Sequence, residues 1–168
     1  IIRGQICHGA DMSPKPIPNR ERLIFALDVA DTDQAKALVE QLGDAVEFYK
    51  IGLELFMAGG YFELIDWLAA RNKKIFCDLK FFDVPATVAA AVKRLNHRGV
   101  TFVTIHGNQA IMEAAAKAKE DVKVLAVTVL TSLDRGDLDD LGFSCDVEKL
   151  VLSRARRALE AGCDGVVS

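Results

Sequence analysis

The residues best equipped for chemistry lie between positions 74 and 88, KIFCDLKFFDVPATV. Asp78 and Lys80 are two apart, which on a strand directs both side chains to one face. Asp83 follows three residues after Lys80, where the pattern turns to loop. Lys50 ends an earlier apolar run, EFYKIG, and sequential parallel strands are commonly neighbours, so Lys50 is expected beside the other three. Two lysines and two aspartates then alternate in one small, partly buried site. A fixed ammonium in such a place can stabilise negative charge developing on a substrate and then deliver a proton. Lysine suits the task as a compact point charge with movable donors, and a neighbouring carboxylate favours its charged form. The competing structural reading is an ion-pair network that only neutralises itself. Against it, buried pairs often add no net stability, and charge clusters in clefts are candidate functional sites.

Such a cluster needs rigid elements beneath it. Apolar runs rich in β-branched residues predict strands at 23–29, 46–51, 74–79, 101–105, 122–130 and 165–168. Helical character fills 32–42, 54–71, 85–98, 108–120 and 146–161. Asp31 and Gln34 are spaced like a capping box and Gly43 like a stop. Pro85 suits a first helical turn, and Gly99 and Gly162 suit carboxyl-terminal stops. Continuous apolar strands alternating with helices predict an α/β fold with a parallel sheet covered by helices. Asp28, Lys50, Asp78 with Lys80, His106, and Thr128 with Thr131 all fall at or just beyond strand carboxyl ends. That end carries the ligand in both the (β/α)8 TIM barrel and the doubly wound sheet. ALDVADTD stands after the first strand in place of a glycine-rich phosphate fingerprint, which favours the barrel.

A closed barrel has eight strands and eight helices in about 250 residues, whereas about six strands and five helices are legible here. The expectation is a barrel domain over 21–168 whose last two strands and their loops are missing. Residues 1–20, with Pro14, Pro16 and Pro18, predict an irregular extension, and Met12 is a candidate start. In the 168-residue chain, 21 basic residues against 24 acidic ones give a net charge of −3, without the basic stripe that nucleic acid requires. No run of about 18 apolar residues predicts a membrane span, and a hydrophobic content of 51% excludes disorder. Cys7, Cys77, Cys145 and Cys163 show neither CxxC nor zinc-ligand spacing, which suggests a reducing, cytoplasmic compartment and no metal site. Cys77, in an apolar run, is expected to be a small buried hydrophobe.

DLKFFDVPATV resembles the signature of orotidine 5′-phosphate decarboxylase: D-x-K-x-x-D, then Ile or Val, Pro, a variable residue and Thr. ALDV with Asp28, YKIGLELF with Lys50, VTIHG around His106, and AVTVLTSLDRGDLDDLGF are similar to the bacterial branch in order and spacing, from Leu23 to Ser168. The resemblance implies conversion of orotidine 5′-monophosphate to uridine 5′-monophosphate in de novo pyrimidine biosynthesis, without metal or organic cofactor. It implies Lys80 as proton donor, Asp78 against the departing carboxylate, and Lys50 and Asp83 completing the network. It further implies a homodimer in which Asp83 and Thr87 reach the partner's site, with Thr87 on a ribose hydroxyl. Asp28 and Lys50 would hold ribose hydroxyls and Thr131 the pyrimidine side. Phe82 stands where many members have His, Ala86 where many have Asn, and no residue matches the Gln and Arg that grip the substrate phosphate. Three alternatives stay open: a magnesium-dependent sugar-phosphate decarboxylase or aldolase sharing D-x-K-x-x-D, a non-catalytic remnant, and a nucleotide-binding module without turnover.

Among single residues, His106 could face the site or serve as a hydrogen-bonded structural group. His97 suits a favourable cation near a helix end, and Trp67 with Leu64 and Leu68 suits core packing. The acidic stretch 134–140 is expected as a solvated turn or a lid, and 154–157 as a solvated helix face.

Overall fold

Among the described residues, the apolar runs settle into six strands: β1 Phe25–Ala26, β2 Phe48–Gly52, β3 Lys74–Phe81, β4 Val100–His106, β5 Lys123–Val127 and β6 Gly165–Val167. This computed structural model describes residues 17–130, 136, 140, 142 and 146–168. Every neighbouring pair is parallel, and the order in the sheet is β1-β2-β3-β4-β5-β6. A doubly wound sheet reverses its strand order at a switch point. Strictly sequential order has no such point and is the order of a (β/α)8 barrel, of which this sheet supplies six strands.

The α-helices among the described residues include α1 Thr32–Leu42, α2 Leu53–Ala58, α3 Tyr61–Ala69, α4 Pro85–Lys93, α5 Gln109–Ala118 and α6 Val147–Glu160. Helix α1 starts as expected, with the Asp31 carboxylate accepting from the Gln34 backbone N–H at 2.8 Å. The Gln34 amide returns to the same carboxylate at 2.7 Å, not to the Asp31 backbone as in the standard box. The helix expected over 54–71 is two helices, because Gly59 and Gly60 take φ of 85° and 69° and break the ladder between them. The helix expected over 85–98 ends at Lys93, and the chain turns into β4 through His97 at φ 61°. The Asp121 carboxylate accepts from the His97 backbone N–H at 2.9 Å and holds that turn. The His97 ring, expected as a favourable cation near a helix end, meets the Glu120 carboxylate at 2.7 Å.

Alternation along the strands makes two cores. Outward-facing Tyr49, Ile51, Ile75, Cys77, Val103, Ile105, Val124 and Ala126 pack with the helices, including fully buried Leu64, Ile65 and Leu68 of α3. Trp67 packs against this core only in part, with the Arg71 guanidinium 3.7 Å over its ring. Inward-facing Phe48, Phe76, Phe102 and Leu125 form the second core, flanked by Ile24 and Val167. The Phe102 ring stacks on Phe48 at 5.5 Å and meets Phe76 edge-on at 5.9 Å. Among the described residues, no helix is long and apolar enough to cross a membrane.

Candidate active site

Two residues above that aromatic layer, the same inner face turns polar. Register places Lys50 opposite Ala26 of β1, and Asp78 of β3 opposite Gly52, two residues beyond Lys50. The pairing of β1 with β2 runs one residue past the strand, with the Leu27 N–H donating to the Lys50 carbonyl at 2.9 Å, and this delivers Asp28 to the rim. A chain of opposite charges results. Lys50 Nζ donates to Asp28 Oδ1 at 3.1 Å and lies 3.8 Å from Asp78 Oδ2. Lys80 Nζ donates to the same Asp78 oxygen at 2.9 Å. Asp78 is the half-buried hub, its side chain 14% exposed, against 38% for Lys80 and 67% for Asp28.

The expected cluster of Lys50, Asp78 and Lys80 therefore forms, but its fourth member within the chain is Asp28. Asp83 lies exposed in the loop after β3, its Oδ1 accepting from the Val84 N–H at 2.6 Å, and it forms no ion pair among the described residues. Thr87 sits exposed in the first turn of α4. Thr131 and most of 134–140 lie outside the described residues. Thr128 is buried at the end of β5, donating to the Val167 carbonyl at 3.3 Å.

The β3 end is not a regular strand. Its register against β4 jumps between Cys77 and Phe81, and Lys80 has a φ of 48° in the left-handed region. Thr104 of β4, fully buried, sits against this irregularity. Its Oγ1 accepts from the Lys80 backbone N–H at 2.9 Å and donates to Asp78 Oδ1 at 2.9 Å. Sequence reasoning missed Thr104. The available signal was the strand's one hydroxyl on the face of Phe102 and His106, Thr101 falling on the other face.

His106 ends β4 half-buried, its ring 4.5 Å from that of Phe82. Burial, then the positive charges of Arg154 and Lys80, hold its pKa below the ordinary histidine value, so the ring is neutral at neutral pH. Arg154 departs from the solvated face expected for 154–157: its guanidinium turns inward and donates to the Thr128 carbonyl at 2.6 Å, while Arg156 and Arg157 stay exposed. Gly107 continues β4 under close approach, where an added Cβ would lie 2.7 Å from the Val127 carbonyl oxygen. Cys77 is buried, as expected, and burial pushes its thiol up to about 12, so it is no nucleophile. The arrangement thus offers two carboxylate-anchored ammonium groups at one end of the sheet, of which Lys80 is the more exposed.

Residues 21–168 match the family described as "Orotidine 5′-phosphate decarboxylase / HUMPS family". The chain is 69% identical over 157 residues to the orotidine 5′-phosphate decarboxylase of Methylococcus capsulatus, covering 94% of this chain and 65% of that relative. It is 52% identical over 158 residues to that of Stenotrophomonas maltophilia, covering 93% and 66%. The crystal structure of orotidine 5′-phosphate decarboxylase from Lactobacillus acidophilus superposes with a TM-score of 0.77 at 34% identity, over 87% of this chain and 70% of that one. The chain thus spans about two thirds of the length of the curated relatives it matches.

Proposed function

Since the chain belongs to the orotidine 5′-phosphate decarboxylase / HUMPS family, we propose that the protein converts orotidine 5′-monophosphate to uridine 5′-monophosphate, as a step of pyrimidine biosynthesis in the cytoplasm and without metal or organic cofactor. The observation that carries this reading is the ordered chain Asp28–Lys50–Asp78–Lys80 across three strand ends. Breaking the bond to the carboxylate releases carbon dioxide and leaves its electron pair on a ring carbon. The Lys80 ammonium, held 2.9 Å from Asp78, stabilises that pair and then gives it a proton, forming the new carbon–hydrogen bond. Asp78 lies against the departing carboxylate and keeps Lys80 charged and aimed. Asp28 and Lys50, at the more open end of the chain, hold ribose hydroxyls, and Thr131 contacts the pyrimidine side.

Asp83 and Thr87 act across a homodimer in this reading, completing the network and reaching a ribose hydroxyl in the partner's site. Their exposure supports it, as does the apolar surface around them: Phe82 and Val84 flank Asp83, and Leu53, Phe56 and Met57 follow the neighbouring strand, all exposed. Covering such side chains is a common reason for self-association.

The test follows the absorbance change of orotidine 5′-monophosphate with the full-length protein in the presence of chelator, beside Lys80→Ala. Metal-independent turnover is expected, abolished in the variant while nucleotide binding persists. Turnover that chelator removes would favour the magnesium-dependent sugar-phosphate branch, and a Lys80→Ala enzyme of normal rate would remove Lys80 from this role.

A further inference from the structure

We propose that Thr104 is the positioning residue of this site: its single hydroxyl fixes both the backbone that carries Lys80 and the carboxylate that anchors it. For activity the proposal rests on the decarboxylase reading; for geometry it stands alone. In a regular parallel ladder the Lys80 N–H would be matched by a β4 carbonyl. The register jump between Cys77 and Phe81 takes that partner away, and Lys80 adopts a φ of 48°. A side chain other than glycine holds such a conformation only where its surroundings over-determine it. Thr104 Oγ1 supplies the missing acceptor at 2.9 Å.

The hydroxyl proton has the other task. It goes to Asp78 Oδ1 at 2.9 Å, which leaves Oδ2 to face both ammonium groups. The Asp78 carboxylate therefore has a fixed rotation: one oxygen against the neighbouring strand, the other between Lys50 and Lys80. A hydroxyl is the smallest group that both donates and accepts. Valine has nearly the same shape and can do neither. Both bonds join Thr104 to the charged pair itself, so the residue acts through Lys80 and Asp78 and touches no reacting atom.

The experiment compares Thr104→Val and Thr104→Ser in the full-length protein by kcat, KM, thermal midpoint and hydrogen exchange at the Lys80 amide. Thr104→Ala removes the same hydroxyl should the valine variant fail to fold. The valine variant is expected to lose kcat on the order of 10²-fold with little change in KM, as a displaced catalytic group does. Its Lys80 amide should exchange faster, and serine should restore both the rate and the protection. A valine variant with wild-type kcat, a serine variant as impaired as valine, or unchanged Lys80 exchange would each overturn the proposal. If the wild type itself is silent on orotidine 5′-monophosphate, the decarboxylase reading fails, and the exchange comparison, which needs no substrate, still decides whether Thr104 holds Lys80.

Discussion

Two layers of one surface lie two residues apart on the inner face of β2, β3 and β4. The lower is Phe48, Phe76 and Phe102, a dry aromatic contact. The upper is Lys50, Asp78 and Thr104, an ionic and hydrogen-bonded one. The same strands and the same inner face build both, but the β3–β4 register that runs through the lower layer is lost between Cys77 and Phe81, at the upper one. The free energy each layer contributes also differs. Burial of the rings stabilises the fold, whereas pairing charges in a half-buried cleft adds little net stability and instead fixes their geometry. Stability and chemistry are thus stacked and should be separable by substitution.

The largest expected effect separates them outright. Lys80→Ala should abolish turnover while the thermal midpoint moves little, because its side chain is more than a third exposed. A fall in midpoint as large as that of a core mutant would show the upper layer to be structural. Phe102→Ala should do the converse, costing about 3–5 kcal/mol in denaturant unfolding, since this ring contacts both Phe48 and Phe76. Gly107→Ala tests the rim above both layers. A Cβ placed 2.7 Å from the Val127 carbonyl oxygen must push β4 and β5 apart, at about 1–3 kcal/mol.

The smallest effect is a pH dependence. The His106 pKa is lowered from 6.5, so below that value the unfolded chain binds a proton that the folded chain resists. Stability should therefore fall as pH drops from about 6.5 toward the folded-state pKa, and His106→Gln should flatten that part of the profile. An unchanged slope in the variant would place the titration elsewhere.

How much of this was legible from residues alone follows the range of the interactions involved. Lys50, Asp78 and Lys80 were legible because period-two alternation and strand adjacency are nearly local rules. That Asp28 joins them within the chain depends on where β1 ends against β2, which no pattern within either strand encodes. That Asp83 does not join them depends on the loop after β3, where it accepts from the Val84 N–H. Thr104 was hidden because a hydroxyl in an apolar strand has no distinctive neighbours in sequence; its partners are 24 and 26 residues away. The left-handed Lys80 was hidden for the same reason. The α2–α3 break was visible as Gly59–Gly60, but apolar spacing continued across it and outweighed the glycines. The early end of α4 was not visible, since Asp121, 24 residues on, fixes the turn at His97.

The strictly sequential strand order has a consequence for the protein's birth. The charged chain and its threonine brace are drawn from four consecutive strands, within residues 28–104. No later strand is threaded between them. Because chains fold largely as they emerge, and near-neighbour contacts form sooner than distant ones, this part of the site can come together while the rest of the molecule is still being made. Its order of assembly is the order of translation.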